Sequence, residues 1–234
     1  MQNIILLHGA LGCSQDLEPL ATELKTQDFN PFILGFSGHG DVDFQNRFTI
    51  PQFAAELKTF ITDKQLKQPA VFGYSMGGYV ALYTALHDPE VTGNIVTLAT
   101  KMNWDPITAQ KESRKLDPDQ LSEKAPAFVQ ALNKTHGNKW QELLKRTGAM
   151  MLDIAEHQYL NESNLKNIAQ PVMMGLGDKD SMVSVEETRA TFGVIPSSRM
   201  FMLPGTRHPL ETADPVLLAA HIKNFVKPGS AQNQ

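Results

Sequence analysis

Residues 70–80 read AVFGYSMGGYV, and this stretch indicates both the fold class and the position of a reactive side chain. Residues 70–72 are a short, wholly apolar run, which is typical of a strand buried on both faces of a parallel sheet. The residues after Ser75 continue with the pattern of a helix. Ser75 therefore lies where a strand turns into a helix, and it is either a nucleophile or a turn residue.

Five further apolar runs are comparable to the run before Ser75, so the chain is predicted to contain six strands. These runs are 4–7, 32–34, 94–98, 172–176 and 200–203. Apolar residues at helical spacing lie between them, as at Leu17, Leu20 and Leu24. Strands that alternate with helices predict a three-layer α/β domain with parallel strands joined by right-handed crossovers.

Three helix starts carry capping signals, one at Thr49 with Gln52, which has capping-box spacing, and two later in the chain. Ser184 with Glu187 has the spacing of a capping box, in which the side chain of each residue bonds the backbone of the other. Asp214 followed by Pro215 offers an N-cap and a proline in the first turn, and it predicts a final helix over about 216–225. Of the two later signals, one follows the fifth predicted strand and the other follows the sixth, as the alternation requires.

One interval breaks the alternation, because residues 101–167 contain helix-like segments but no predicted strand. We interpret this interval as an inserted helical lid with an apolar underside. The core of the domain is then formed by residues 1–100 and 168–227. Residues 228–234 are predicted to be a disordered tail.

The composition narrows the function classes. There are 21 basic and 25 acidic residues, a formal net charge of -4, and no basic run that would indicate binding to nucleic acid. No apolar stretch approaches the ~20 residues of a membrane span, and the chain opens on a strand-like run, so we expect a cytoplasmic protein. The single cysteine, Cys13, excludes an internal disulfide and a cysteine-based metal cluster, and we expect neither metal nor cofactor.

The residues around Ser75 match G-x-S-x-G, with a predicted strand before the motif and a helix after it, which is the context that the motif requires. Such an abrupt turn strains the serine backbone, and side chains at Gly73 and Gly77 would collide across the turn. The turn exposes the Ser75 hydroxyl at the carboxyl edge of the sheet. It also leaves the N–H of Met76 at a helix N-terminus, where it can bind developing negative charge. Ser37 lacks this context and is predicted to be a turn residue.

A serine nucleophile needs a base, and the base needs an acid that orients it. The fifth predicted strand ends in a loop with two candidate acids, Asp178 and Asp180, and the sixth leads to His208. Of the seven histidines, only His208 lies on a loop after a strand and downstream of the acids. His136, within 101–167, is interpreted as a surface or packing residue. The order Ser, Asp, His is that of α/β-hydrolases.

On these motifs, the whole chain resembles an α/β-hydrolase-fold protein with a helical lid. The resemblance implies that the loop after the first strand, His8-Gly9-Ala10, supplies a second oxyanion N–H from Ala10. It also implies that Asp180, the last residue of G-x-x-D, is the acid rather than Asp178. Similar hydrolases carry two more strands at the start, so the sheet here is expected to be minimal, in the order 2-1-3-4-5-6. That order places the reversal of direction between strands one and three.

The resemblance implies hydrolysis of an ester or related acyl bond of a small, apolar molecule. Ser75 would attack after His208 takes its proton, and the Ala10 and Met76 N–H groups would hold the oxyanion. Five residues on loops at the carboxyl edge are expected to line an apolar substrate pocket. They are Leu11, Phe36, Tyr74, Met102 and Trp104.

Two alternative functions stay open at this point. The same triad can hydrolyse a carbon–carbon bond or catalyse an elimination, as in menaquinone-pathway lyases of this fold, and arginines in the pocket would favour such an anionic substrate. A ligand-binding receptor or pseudoenzyme could also keep the fold. Degenerate sites of that kind normally lose a triad member, and all three members are present here.

Overall fold

The computed structural model describes residues 1–227, and the predicted disordered tail lies outside the described residues. Its six strands form one parallel sheet in the order β2-β1-β3-β4-β5-β6. This arrangement confirms the predicted fold class and strand order. The strands are β1 (Gln2–Leu7), β2 (Phe29–Leu34), β3 (Ala70–Tyr74), β4 (Ile95–Leu98), β5 (Val172–Gly177) and β6 (Ser198–Leu203).

Ten α-helices are present in the described residues, together with three short 3-10 helices. The α-helices are α1 (Glu18–Thr26), α2 (Ile50–Asp63), α3 (Met76–His87), α4 (Pro106–Arg114), α5 (Pro118–Lys124), α6 (Pro126–His136), α7 (Trp140–His157), α8 (Glu162–Leu165), α9 (Val185–Val194) and α10 (Pro215–Val226). The 3-10 helices are Ser14–Leu17, Gly137–Lys139 and Leu210–Thr212. Within 1–227, no helix combines the length and the apolar composition that a transmembrane segment needs.

The sheet is buried on both faces, which gives the domain its three layers. Successive side chains of a strand point to opposite faces, and all four apolar residues of β1 from Ile4 to Leu7 are fully buried. Ile4 and Leu6 pack with residues of α1 and α10, whereas Ile5 and Leu7 pack with residues of α2 and α3. The continuous apolar runs of the sequence therefore reflect burial on both sides.

β2 begins three residues earlier than the sequence predicts, because it pairs with β1 along its whole length. Gln2 of β1 is in register with Phe29, and the pairing continues to the end of both strands. Pro31 interrupted the apolar pattern of the sequence. A proline is tolerated here because β2 lies at the edge of the sheet.

The capping signal of α10 is confirmed, since the Asp214 carboxylate accepts hydrogen bonds from the backbone at the start of the helix, which begins with Pro215. The capping box of α9 is only half formed. The Ser184 hydroxyl accepts from the N–H of Glu187 at 3.0 Å. The Glu187 carboxylate instead accepts from the N–H groups of Met102 and Asn103, each at 2.6 Å. A long-range contact has replaced the local one that the spacing predicted.

Residues 101–167, which we call the helical insertion, lie between β4 and β5. In the described structure this interval contains helices α4 to α8 and one 3-10 helix, and α4 packs against α7. Its first residues are held by α9, because Lys101 forms a largely buried ion pair with Glu187 at 3.3 Å. The insertion therefore starts at the carboxyl edge of the sheet.

Candidate active site

Ser75 sits in the strained turn between β3 and α3. Its φ of 50° and ψ of −114° lie outside the regions that a serine prefers. The Ser75 N–H donates to the Leu98 carbonyl at 2.8 Å, and its carbonyl accepts from the Thr100 hydroxyl at 3.2 Å. The end of β4 and the residues after it thus hold the turn from both sides. The sequence analysis did not identify Thr100, whose only signal is a polar residue just after an apolar run.

The two glycines of the motif are both required, although for different reasons. A Cβ on Gly73 would overlap the backbone of Gly77, which is the predicted collision across the turn. A Cβ on Gly77 would lie 2.5 Å from the carbonyl oxygen of Leu7 in β1. Gly77 is therefore required by the neighbouring strand, and the sequence-based reason for it was incomplete.

His208 joins the serine to one of the two candidate acids. Its Nδ1 lies 2.9 Å from Oδ2 of Asp180, and its Nε2 lies 3.5 Å from Oγ of Ser75. The longer distance is at the outer limit of a hydrogen bond, as catalytic contacts often are without substrate. Asp178 is exposed and accepts from the N–H of Thr206 at 3.2 Å. The structure therefore brings Asp180, and not Asp178, to the imidazole.

The Asp180 carboxylate is buried and saturated with donors. Its Oδ1 accepts from the N–H groups of Met182 and Val183 at 2.8 and 2.9 Å. Burial acts to raise the pKa of Asp180, but the hydrogen bonds with His208 and the two backbone donors outweigh it, and the pKa lies below its ordinary value. The ionised carboxylate can orient the His208 ring and stabilise a positive charge on it.

Tyr74 fixes the loop that carries the histidine. Its hydroxyl donates to the backbone carbonyl of His208 at 2.7 Å. Burial, reinforced by nearby carboxylates, raises the pKa of Tyr74, so the hydroxyl keeps the proton that it donates. The Tyr74 ring also lies beside Gly9, and a Cβ added to Gly9 would lie 2.7 Å from the ring.

The loop after β1 passes beside Ser75, since a Cβ added to Gly9 would lie 3.3 Å from the Cβ of Ser75. The Gly9 carbonyl lies 2.8 Å from Nδ1 of His8 and accepts from the N–H of Gly12 at 3.2 Å. Because a trans peptide places its carbonyl and N–H on opposite sides, the Ala10 N–H points away from these donors. Met76 is the first residue of α3, where N–H groups have no partner within the helix.

His8, the residue directly after β1, makes a hydrogen bond with each of its ring nitrogens. It is fully buried, and its Nε2 accepts from the N–H of Phe36 at 3.1 Å. Burial lowers the pKa of His8 to about 4, so the ring is neutral near pH 7. A neutral ring with the proton on Nδ1 satisfies both of its hydrogen bonds.

A cavity of about 1200 Å³ lies between the carboxyl edge of the sheet and the helical insertion, with Ser75 and His208 in its wall. Three of the five predicted pocket residues line it, namely Leu11, Tyr74 and Trp104.

Phe36 and Met102 require correction, because neither is among the described residues that line the cavity. Phe36 is fully buried, with its ring 5.1 Å from His8 and 4.9 Å from Phe53, centre to centre. Met102 packs against the core, and its N–H donates to the Glu187 carboxylate.

Apolar residues from two groups of elements line the cavity. One group belongs to the helical insertion, and Ile50 and Tyr79 of the core line the cavity with it. The insertion contributes Trp104, Leu116, Phe128, Leu132, Met150, Met151 and Ile154. The other group comes from α1, α10 and the residues after β6, and it includes Leu20, Leu218 and Leu210. The sequence analysis missed this second group, for which Leu210, two residues after His208, was the available signal.

The sequence model of the family described as serine aminopeptidase, S33 (Hydrolase_4), matches residues 1–214. The chain belongs to this family. It is thus an α/β-hydrolase, and a hydrolase enzyme. An uncharacterized hydrolase of Bacillus subtilis, YugF, is 22% identical over 251 residues, which cover 97% of this chain and 90% of the relative.

Solved structures share the fold of this S33-family hydrolase. A thermophilic esterase from Thermogutta terrifontis superposes with a TM-score of 0.79 at 17% identity, over 97% of this chain and 90% of the esterase. MenH from S. aureus superposes with a TM-score of 0.74 at 20% identity, over 97% and 93% of the two chains. At such identities the likeness concerns the fold, and the reaction has to be argued from the site.

Charged groups at the cavity of the S33-family hydrolase are of both signs. Lys101 is paired with Glu187, and Lys115 with Glu112 at 2.8 Å. No arginine is among the residues of 1–227 that line the cavity. Within the same range, no cluster of three His, Cys, Asp or Glu side chains is arranged to hold a metal ion.

Proposed function

We propose that this S33-family hydrolase cleaves an ester or related acyl bond of a small, uncharged, largely apolar substrate. The observation that carries the proposal is the connected series Ser75, His208 and Asp180 in the wall of the apolar cavity. A hydroxyl, an imidazole and a buried carboxylate in this order are the components of nucleophilic acyl transfer.

The reaction follows from these positions. His208 Nε2 takes the proton of the Ser75 hydroxyl while Oγ attacks the carbonyl carbon, and the N–H groups of Ala10 and Met76 bind the resulting oxyanion. The intermediate collapses, the bond to the leaving alcohol breaks, and His208 protonates the alcohol. Water then attacks the acyl-enzyme with His208 as base, which releases the acid and restores Ser75. Asp180 orients the imidazole in both steps.

The helical insertion is proposed to act as a lid that shapes the part of the cavity in which the acyl group would lie. Its face toward the cavity is mainly apolar, so it would exclude water from the acyl group and strengthen the electrostatic contacts at the oxyanion. The rival reading, carbon–carbon hydrolysis or elimination of an anionic substrate, finds less support. Arginine is absent from the described lining, and two of its lysines are already paired with carboxylates.

The proposal is tested with a fluorophosphonate probe and nitrophenyl esters. We expect the probe to label Ser75, and Ser75→Ala to lose both labelling and nearly all turnover, on the order of 10⁵-fold or more in kcat. Ser37→Ala is the matched control, since Ser37 also lies shortly after a strand of the sheet but its hydroxyl donates to Glu56. It should still be labelled.

Turnover by Ser75→Ala at the parent rate would refute the mechanism. Failure of the folded, unchanged protein to react with the probe would favour a ligand-binding role without catalysis.

A further inference from the structure

His136 is the last residue of α6 in the helical insertion, and both of its polar contacts lie outside the insertion. Its Nδ1 accepts from the N–H of Gly40 at 2.9 Å. Its Nε2 lies 2.9 Å from the carbonyl oxygen of Leu11. Because Nδ1 accepts, Nε2 must carry the proton and donate to Leu11. The side chain is almost fully buried, so the prediction of a surface or packing residue missed these two contacts.

The contact at Leu11 matters because Leu11 follows Ala10 in the loop that would bind the oxyanion. Leu11 has a φ of 61°, in the left-handed region that a leucine rarely adopts, so its surroundings must hold it there. The residues before and after Ala10 each have a backbone carbonyl that is hydrogen-bonded to a histidine. His8 bonds the carbonyl of Gly9, and His136 bonds the carbonyl of Leu11.

The helix that carries His136 also forms a wall of the cavity. Four residues of α6, at spacings of three, one and three, line the cavity and therefore lie on one face of the helix. They are Phe128, Ala131, Leu132 and Thr135. An acyl group in this part of the cavity would touch the same helix whose end bonds the loop.

We propose that His136 is a positioning residue, which from the helical insertion holds Leu11 and thereby the Ala10 N–H in place for the oxyanion. The inference rests on the proposed acyl transfer, and it makes the docking of the insertion a condition for full turnover. Burial lowers the pKa of His136, which keeps Nδ1 free to accept from Gly40. Of the two hydrogen bonds, the one to Leu11 is the one that should affect catalysis.

Two amide substitutions separate the two hydrogen bonds. The amide nitrogen of His136→Gln can replace Nε2 and still donate to Leu11, whereas the oxygen of His136→Asn can replace Nδ1 and accept only from Gly40. We expect kcat for a nitrophenyl ester to fall on the order of 10-fold to 100-fold in His136→Asn, with KM changed by less than about 3-fold. His136→Gln should stay within about 3-fold of the unchanged protein in kcat.

The controls distinguish catalysis from folding. His157 belongs to the same insertion but bonds only within its own helix, to Asp153. His157→Asn should leave kcat unchanged. Should His136→Asn fail to fold, His136→Phe keeps the volume of the ring without either hydrogen bond. It should lose at least as much kcat at an unchanged KM.

Each outcome is decisive. Equal kcat values for the Asn and Gln variants, or an effect confined to KM, would overturn the role of His136 while Ser75-dependent turnover of the unchanged protein leaves the proposed function standing. Absence of Ser75-dependent turnover in the unchanged protein would instead overturn the proposed function, and the role of His136 with it.

Discussion

The carboxyl edge of the sheet and the helical insertion contribute to one cavity in different ways. Ser75, Asp180 and His208 each follow a strand by one to five residues, and β1 to β6 hold those strand ends in one row. The insertion reaches the cavity through helices that pack on one another and on two loops of the core. The sheet thus places the proposed reacting groups, and the insertion contributes much of the cavity wall around them.

This difference predicts two kinds of mutational effect. Changes at the sheet edge should act on kcat or on folding, because the side chains and the backbone there have one permitted position. Changes in the insertion should act on which acyl group is accepted, because its residues line the cavity that we propose to hold the acyl group. His136 is the proposed exception, since it belongs to the insertion and acts on the edge.

After the loss of Ser75 itself, the largest effect is expected at Asp180. Asp180→Asn keeps the shape of the side chain but removes the charge that orients His208, and kcat should fall on the order of 10⁴-fold. Asp178→Asn is the matched control, because Asp178 is exposed and its carboxylate accepts only from the N–H of Thr206 among the described contacts. It should stay within about 2-fold in a nitrophenyl ester assay.

The opposite ranking of the two variants would mean that the loop after β5 shifts and that Asp178 is the working acid. Such a result would contradict the inference that the strand ends determine the positions of the reacting groups.

A smaller effect, on stability, is expected at Gly77. A Cβ at this position would meet the Leu7 carbonyl of β1 at 2.5 Å, and relieving the overlap requires backbone movement. Gly77→Ala should lower the free energy of unfolding by about 3 kcal/mol in urea denaturation. Gly193→Ala in α9 is the control, because no atom lies within 4 Å of its added Cβ. It should be neutral or stabilising by up to about 1 kcal/mol.

If Gly77→Ala were as stable as Gly193→Ala, the turn after β3 would be more adaptable than the packing of α3 on β1 indicates. The permitted position of Ser75 would then not be unique.

The sheet edge could be predicted from the sequence because its residues are local to strand ends. Once apolar runs identify six strands, the carboxyl ends of parallel strands must meet at one edge, and a serine, an acid and a histidine that follow such runs are brought close together. Asp180 could be preferred over Asp178 only through the resemblance to α/β-hydrolases. The structure makes the same distinction by burial, with Asp180 inside and Asp178 exposed.

The direction of loop side chains could not be predicted. Phe36 lies on a loop at the carboxyl edge, as expected, but it points into the core, where the His8 and Phe53 rings surround it. Glu187 has the spacing to bond its own helix start, but the backbone of residues 102 and 103 offers it two donors at once. In both cases the side chain is directed by residues distant in sequence, and no local sequence pattern indicates such a contact.

The smallest effect is expected in the insertion and concerns acyl-chain length. Met151 of α7 lines the apolar part of the cavity, and Met151→Ala would remove part of its wall. Each substrate methylene that moves from water into apolar surroundings contributes about 0.8 kcal/mol, or roughly 4-fold in kcat/KM. This holds as long as the cavity has room for the methylene. The variant should therefore favour nitrophenyl esters one or two methylenes longer than the unchanged protein does, with little change for the acetate.

Leu152→Ala is the control, because Leu152 is the next residue of the same helix but is exposed on its outer side. It should leave the chain-length profile unchanged. A uniform loss across all esters in Met151→Ala would instead indicate that the insertion acts on the reacting groups at this point as well. In that case neither Met151 nor His136 would fit the division between a sheet edge that carries the reacting groups and an insertion that selects the acyl group. Helices α6 and α7 would then together support the loop after β1.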